Sequence, residues 1–256
     1  MRITTWNVNG LRAALKKGLH HHLEQVKPDV LMLQEIRATP DQLPKGEARP
    51  EGWHAAWHPA ERKGYSGVAT WTKTPQWVVG VGMDDLDVQG RILRTRTKKL
   101  QMVNVYLPSG SRSEEAQASK EQWMERFLPW AAAIARSEEP TVLAGDLNIA
   151  HTANDIHNPT GNKKNSGFLP HEREWFSELL ASGWTDLFRV HVGEQKGPYS
   201  WWSNRGRARE LDRGWRIDYV LGNAAVAKRL KGASIHRPGG LEVSDHAPVT
   251  IELKAR

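Results

Sequence analysis

The amino-acid sequence predicts an α+β fold in which β-sheets stack against one another and helices cover them. Short runs with β-like composition recur along the whole chain of 256 residues, whereas helical periodicity is confined to three segments. Proline and glycine are spread between these elements as turn residues, and no linker or low-complexity segment separates them. Many strands, few helices and no linker indicate one layered domain, which we expect to span residues 1–256.

The predicted strands are runs of four to six residues, rich in β-branched, aromatic or other apolar side chains and bounded by turn residues. In chain order they are Ile3–Trp6, Val30–Leu33, Trp53–Trp57, Gly67–Trp71, Gln76–Val81, Ile92–Thr97, Gln101–Tyr106, Thr141–Ala144, Tyr199–Trp202, Ile217–Leu221 and Val249–Leu253. Eleven such runs favour stacked sheets over a helical fold.

Three segments have helical periodicity. A leucine recurs every fourth residue over 11–23, and a second apolar pattern covers 123–134, where Pro129 is expected to kink or split the helix. The third segment begins at Pro170 and stops at Gly183. The first segment includes three consecutive histidines. Because consecutive helical residues point in different directions, we expect this run to be solvated helix surface.

Composition restricts the functions that the chain can have. The 36 Lys and Arg exceed the 29 Asp and Glu, and a net charge of +7 favours a polyanionic partner, either nucleic acid or an anionic membrane surface. Twelve Trp suit core packing, base stacking or the walls of a sugar pocket. Cysteine is absent, so any metal must be bound by oxygen or imidazole. With no apolar stretch near ~18 residues and no signal-peptide pattern, we expect a cytoplasmic protein without a membrane anchor.

Polar residues lie at or just after the ends of the predicted strands, where loops on a rigid scaffold usually carry chemistry. They are Asn7, Asn9, Glu35, Tyr106, Asp146, Asn148, Asp218, Asp245 and His246. Taken singly, the asparagines are typical turn residues and a lone histidine is typical of a surface or a core. A carboxylate inside an apolar strand, as at Asp218, needs a partner or a metal. The recurrence of such residues at strand after strand indicates one shared site.

The chemistry available to this set is restricted. Carboxylates with amides and no thiols form a hard oxygen site, which suits Mg²⁺ or Mn²⁺. In a basic protein, such a site beside a histidine predicts hydrolysis of a phosphate ester. The metal would neutralise phosphate charge, a carboxylate would activate water, and the imidazole would bond the phosphate oxygens.

Seven motifs resemble one family. In this order, WNVNGLRA, LQEIRA, YLPSG, GDLNIAH, NPTGNKKNSGF, WRIDYVL and SDHAPV resemble the exonuclease III type of AP endonuclease, within the endonuclease/exonuclease/phosphatase superfamily. The resemblance extends from Ile3 to about Leu253. It implies a four-layered α/β sandwich with two facing β-sheets, as in DNase I-like enzymes. It also implies a Mg²⁺- or Mn²⁺-dependent, monomeric nuclease that cuts duplex DNA at abasic sites.

The resemblance implies roles for the metal- and phosphate-binding residues. Glu35 would be the principal metal ligand, with Asn9 and Asp245 close by. Asn7 and Tyr106 would contact the phosphate.

The same resemblance implies how water and the scissile phosphate are handled. Asp146 would position and activate the attacking water, and Asn148 would hold Asp146 and the phosphate. His246 would bond the scissile phosphate and be oriented by Asp218.

The remaining implied residues bind the DNA. Three of them would form the apolar pocket for the base-free sugar: Trp201, Trp215 and Ile217. Four more are expected to contact the DNA around it, and the two arginines would hold the helix open if the tryptophans belonged to the core: Arg112, Arg205, Asn162 and Lys163. Two other functions fit the charge of the chain, namely a phosphoesterase that acts on a phosphoinositide or sphingomyelin, and a non-catalytic DNA-binding module. The NKKN motif and the Arg-rich loop over 205–216 favour the nuclease over the lipid enzyme, and the full carboxylate, amide and imidazole set favours it over the binding module.

Overall fold

Two mixed six-stranded β-sheets form the centre of the molecule, in a computed structural model that describes residues 1–83 and 86–254. The first sheet has the order β13-β14-β1-β2-β4-β3. Its strands are β1 (Arg2–Asn7), β2 (Val30–Gln34), β3 (His54–His58), β4 (Val68–Thr72), β13 (Leu230–Ile235) and β14 (Val249–Leu253).

The second sheet has the order β5-β6-β7-β8-β12-β9. Its strands are β5 (Trp77–Val81), β6 (Ile92–Arg96), β7 (Gln101–Tyr106), β8 (Thr141–Asp146), β9 (Thr185–Asp186) and β12 (Asp218–Gly222). A separate two-stranded ribbon consists of β10 (Trp201–Trp202) and β11 (Gly214–Trp215). The described helices are α1 (Leu11–Lys16), α2 (Leu19–Val26), α3 (Glu114–Ala135), α4 (Pro170–Ala181), α5 (Leu187–Val192), α6 (Ala224–Ala227) and α7 (Arg237–Val243).

Apolar side chains of both sheets interlock in the space between them. Ile3 and Met32 of the first sheet belong to one buried cluster with Met102 and Val142 of the second. On the outer face of the second sheet, α3 and α4 contribute a second cluster that includes Phe127. Helices α1 and α2 cover the outer face of the first sheet in a third cluster. This helix–sheet–sheet–helix arrangement confirms the predicted four-layered sandwich.

The structure corrects several predicted elements. The first helical segment is two helices, because Gly18 takes a left-handed backbone (φ 95°) between α1 and α2. Pro129 neither splits nor ends α3, which continues to Ala135. The predicted strand over 199–202 shortens to two residues, and β9, β11 and β13 were not predicted. None of the described helices is long and apolar enough to cross a membrane.

Strand direction brings the polar strand ends together. The parallel pairs β1–β2 and β7–β8 end at the same edge of the sandwich. The antiparallel strand β12 begins there, so that Asp218 lies opposite Asp146 in the register. The strand β14, antiparallel to β1, also begins there, which brings residues 244–248 to that edge.

One part of the histidine run is buried, contrary to the prediction of a solvated surface. His22 is 4% exposed and lies 5.0 Å from the ring of Trp6, measured between centroids. Its ring also lies 6.4 Å from that of His236, at the start of α7. Burial, and next the charge of His22, lowers the pKa of His236 to about 4. Burial likewise lowers the pKa of His22.

This histidine pair predicts acid sensitivity of the fold. A histidine with a lowered pKa binds its proton more readily in the unfolded chain, so stability is lost as the pH falls from about 6.5 towards 4. Replacing His236 with glutamine should reduce the loss of unfolding free energy between pH 7 and pH 5 by roughly 1–2 kcal/mol after allowance for solvent screening. Urea unfolding at both pH values measures it. The exposed His191→Gln variant is the control, and equal acid sensitivity in His236→Gln and wild type would contradict the prediction.

Candidate active site

A cleft of about 830 Å³ opens at the sandwich edge where the polar strand ends meet. Most of the predicted catalytic and metal-binding residues line it: Asn9, Glu35, Tyr106, Asp146, Asn148, Asp245 and His246. Asn7 and Asp218 are buried immediately beneath this lining. The fold therefore brings together residues that are separated by up to 239 positions in the chain, from Asn7 to His246.

A histidine–aspartate pair forms one side of the cleft floor. Nδ1 of His246 lies 2.9 Å from Oδ2 of Asp218, which also accepts a 2.6 Å hydrogen bond from the hydroxyl of Ser200. Burial alone would lower the pKa of His246, but the charge of Asp218 and the hydrogen bond to it raise this pKa above its ordinary value. The imidazole is therefore held protonated, with Nε2 directed towards Asp146 at 3.9 Å.

Asp146 lies at the end of β8, at the centre of the floor. Its Oδ2 accepts from Nδ2 of Asn7, and its Oδ1 accepts from the backbone N–H of Asn148, both at 2.9 Å. Burial, and next the negative charge of Asp218, raises the pKa of Asp146 towards neutrality. A carboxylate with this pKa suits proton abstraction from water near pH 7.

Two further carboxylates, those of Glu35 and Asp245, line the cleft. Nδ2 of Asn7 donates to Oε1 of Glu35 as well as to Asp146, at 2.9 Å. Oε2 of Glu35 accepts from the guanidinium of Arg37. Nearby, Nδ2 of Asn9 donates to Oδ1 of Asp245 at 2.9 Å. Although burial opposes it, the charge of His246 lowers the pKa of Asp245, so this carboxylate is ionised at neutral pH.

Tyr106 closes the floor between these two groups. Burial, with the charges of Glu35 and Asp146, raises the pKa of the Tyr106 phenol well above its ordinary value. The hydroxyl is therefore protonated at neutral pH and can donate a hydrogen bond but is a poor base.

The family model for the endonuclease/exonuclease/phosphatase family matches residues 4–246, which include every residue of this site described so far. The chain belongs to this family. It is 35% identical to an exodeoxyribonuclease of Bacillus subtilis (strain 168), with 98% of each chain aligned. It is 37% identical to the DNA repair nuclease APEX1 of Danio rerio, over 99% of this chain and 82% of the relative. The solved structure of an AP endonuclease from Archaeoglobus fulgidus superimposes over the full length of both chains, with a TM-score of 0.91 and 26% identity. The predicted resemblance and the DNase I-like fold are confirmed.

Beside the floor, this member of the endonuclease/exonuclease/phosphatase family has an aromatic pocket. Trp201 and Trp215 pair across the β10–β11 ribbon, with their rings 6.1 Å apart and nearly perpendicular. Both are partly buried against Ile217, and all three line the cleft. Nε1 of Trp201 donates to Oδ2 of Asp245 at 3.2 Å, which ties the pocket to the floor.

The predicted DNA-contact residues divide into two groups. Arg112 and Arg205 are exposed and line the cleft rim. Asn162 instead lines a neighbouring cavity on the far side of Trp215, together with Arg213. Lys163 lines neither cavity, and the adjacent Lys164 is the lysine of the NKKN motif that reaches the cleft.

Several residues of the site were not predicted from the sequence. Arg37 contacts Glu35, and its position inside the motif LQEIRA was the available signal. The hydroxyl of Ser200 accepts from the backbone N–H of Asp218 and donates to its carboxylate. Arg216 lies between two pocket residues in sequence, and its buried side chain pairs with Asp155 and Asp186. No pattern distinguishes such buried partners from other polar residues.

Within residues 1–83 and 86–254, two sets of side chains are candidates to hold a cation. The ligand atoms of Asp146, Asp218 and His246 lie within 4.8 Å of one another. However, His246 and Asp218 are hydrogen-bonded to each other, and a metal bound by the imidazole would have to displace the proton that the raised pKa of His246 favours. Glu35, Asp245 and Asn9 also line the cleft and offer carboxylate and amide oxygens, and their present partners include Arg37 and one another. This second set fits a hard cation better.

Proposed function

We propose that this chain is a DNA repair nuclease that hydrolyses the phosphodiester on the 5′ side of abasic sites in duplex DNA. One observation carries the proposal, namely a buried carboxylate of raised pKa, Asp146, beside a protonated histidine and directly next to a pocket formed by two tryptophans. Asp146 and His246 suit the attack of water on a phosphate, and the tryptophan pocket suits a sugar without a base. The chain would act as a monomer and as one catalytic domain, with 3′–5′ exonuclease and 3′-phosphodiesterase activity at the same site.

The proposed cofactor is Mg²⁺ or Mn²⁺. Glu35 would be its principal ligand, with Asp245 and Asn9, because these side chains supply carboxylate and amide oxygens and no sulfur. When bound, such an ion supplies positive charge that offsets the charge of the phosphate.

The side chains of the chain itself account for the other steps. Asp146 accepts the proton of the attacking water, and Asn148 orients Asp146 through its backbone N–H. His246, fixed by Asp218, donates from Nε2 to a phosphate oxygen, where negative charge develops. The hydroxyl of Tyr106 donates a hydrogen bond to the same phosphate. Trp201, Trp215 and Ile217 enclose the abasic sugar, which leaves the helix at low cost because no base has to be unstacked.

A substrate comparison tests the proposal. The protein, with Mg²⁺ or Mn²⁺, is given a duplex oligonucleotide with one tetrahydrofuran site, the same duplex with an intact nucleotide, and vesicles that contain sphingomyelin or a phosphoinositide. We expect cleavage at the tetrahydrofuran site and much slower cleavage of the intact duplex. Hydrolysis of the lipid alone would identify a lipid phosphoesterase, and DNA binding without any cleavage would identify a non-catalytic module.

Replacing Glu35 with glutamine tests the metal assignment. A neutral amide is a poorer ligand for a hard cation, so we expect weaker binding of Mn²⁺ by calorimetry and loss of nuclease activity. Glu252→Gln is the matched control, since Glu252 pairs with Arg2 on the first sheet and lies outside the cleft. Unchanged metal affinity in Glu35→Gln would exclude Glu35 as the principal ligand.

Replacing Trp215 with alanine tests the pocket. Opening this wall should admit an ordinary nucleotide, so the ratio of kcat/KM for abasic over intact duplex should fall by roughly 10-fold or more. Trp201→Ala should act in the same direction. Trp77→Ala is the control, because Trp77 is 47% exposed on the edge strand β5. If Trp215→Ala kept the abasic preference or failed to fold, Trp215 would be a core residue. In that case, Arg112 and Arg205 would be the residues that hold the helix open.

A further inference from the structure

A buried lysine–glutamate pair lies directly behind the cleft floor, outside the residues assigned to the reaction. Lys120 belongs to α3 and Glu172 to α4, and both side chains are 0% exposed. Nζ of Lys120 donates to Oε1 of Glu172 at 2.6 Å. Apolar side chains of similar size would often stabilise a fold as well as a buried ion pair does, so stability alone does not account for these charges.

The lysine makes a second contact, with a residue of the floor. Its Nζ donates to the backbone carbonyl of Asn148 at 3.0 Å. Asn148 has a left-handed backbone (φ 49°), which asparagine tolerates and which turns its carbonyl towards Lys120. Its N–H donates to Asp146 at 2.9 Å. Lys120 therefore holds the carbonyl of Asn148, and the N–H of the same residue orients the water-activating carboxylate of Asp146.

The glutamate holds the segment that backs the aromatic pocket. Its Oε2 accepts from the backbone N–H groups of Gly167, at 2.7 Å, and of Leu169, at 3.0 Å. The Gly167 backbone lies so close to Trp215 that an added Cβ would be 3.2 Å from its ring. Glu172 therefore fixes the backbone against which the pocket wall rests.

We propose that Lys120 and Glu172 are positioning residues that hold the Asp146–Asn148 turn and the Trp215 wall in fixed relation. The inference rests on the proposed nuclease function. Neither residue touches the substrate, and both act through hydrogen bonds to the backbone. A misplacement of about 1 Å in a catalytic group can reduce the rate by as much as ~10²-fold, so the pair should affect kcat more than KM.

Three variants test this role in the full-length protein with Mg²⁺. Lys120→Met removes the donor to Asn148 and leaves Glu172 unpaired. The double variant Lys120→Met/Glu172→Gln removes both charges, while the amide oxygen of residue 172 can still accept from the Gly167 and Leu169 N–H groups. This double variant should fold even if the single variant does not. Lys120→Arg restores a cation at the same position. Val226→Ala is the stability control, because Val226 is fully buried at the opposite end of the second sheet.

We expect the double variant to lose ~10-fold to 100-fold in kcat for the tetrahydrofuran duplex, with KM within about threefold of wild type. We also expect faster amide exchange over residues 146–149, and partial recovery of both properties in Lys120→Arg. The exchange measurement needs neither metal nor DNA, so it reads the positioning role even if the wild type cleaved another substrate. Wild-type kcat and amide exchange in a folded double variant would overturn the inference. So would a loss of kcat no larger than that in Val226→Ala, compared at temperatures equally far below the two melting temperatures.

Discussion

Replacing Asp146 with asparagine is expected to reduce kcat for abasic DNA by at least ~10²-fold, with little change in KM or in melting temperature. Asparagine has nearly the same shape and can still accept from the N–H of Asn148, but it cannot take a proton from water. Loss of the carboxylate also removes one of the negative charges beside His246. Single-turnover cleavage of an end-labelled tetrahydrofuran duplex measures the chemical step.

The control for this variant is Asp29→Asn. Asp29 is exposed and caps the other end of the first sheet, where it accepts from the backbone N–H of Arg2 at 2.7 Å. It should cleave at the wild-type rate. Near-wild-type turnover in Asp146→Asn would show that another group activates the water.

Replacing Asp155 with alanine is expected to cost about 3–5 kcal/mol of folding stability. Asp155 is fully buried and accepts from Nε of Arg216 at 2.7 Å and from Arg189 at 2.5 Å. Burial opposes the charged form, but Arg216 holds the pKa of Asp155 well below its ordinary value. The stabilisation is therefore fully present at neutral pH and is lost only in strong acid. Without Asp155, the buried Arg216 keeps a single carboxylate partner, Asp186.

Thermal unfolding measures this effect, and a decrease of roughly 10 °C in melting temperature is expected. Since Arg216 lies between Trp215 and Ile217, the abasic preference should weaken as well. Glu210→Ala is the matched control, because its ion pair with Arg207 is solvent-exposed and such pairs contribute about 0–1 kcal/mol. If Asp155→Ala were as stable as Glu210→Ala, the buried network would not support the pocket.

The sequence was sufficient to predict stacked sheets, and its motifs, through their resemblance to a known family, most of the residues of the cleft floor. Strands such as β7 and β14 coincide with their predicted bounds, because β-branched and other apolar residues recur throughout both runs. Polar residues recur at the strand ends in the sequence, and the strand directions of the structure bring those ends to one edge.

The ribbon, the burial of single polar residues and the buried ion pairs depend on tertiary contacts, which leave no periodic signal in the sequence. The ribbon strands β10 and β11 have two residues each, and only their pairing through Trp201 and Trp215 defines them. The burial of His22 follows from the packing of α2 and α7, which no local pattern specifies. The partners of Glu172 are likewise recognisable only once α3 and α4 are packed together.

Cleavage of the tetrahydrofuran duplex in H₂¹⁸O, with mass spectrometry of both fragments, shows directly where water attacks the DNA backbone. Water attack on the phosphodiester 5′ of the abasic residue predicts one ¹⁸O atom in the 5′-terminal phosphate of the downstream fragment. It also predicts an unlabelled 3′-hydroxyl on the upstream fragment. An uncut duplex, or ¹⁸O incorporated only into fragments cut on the 3′ side of the abasic residue, would contradict hydrolysis on the 5′ side.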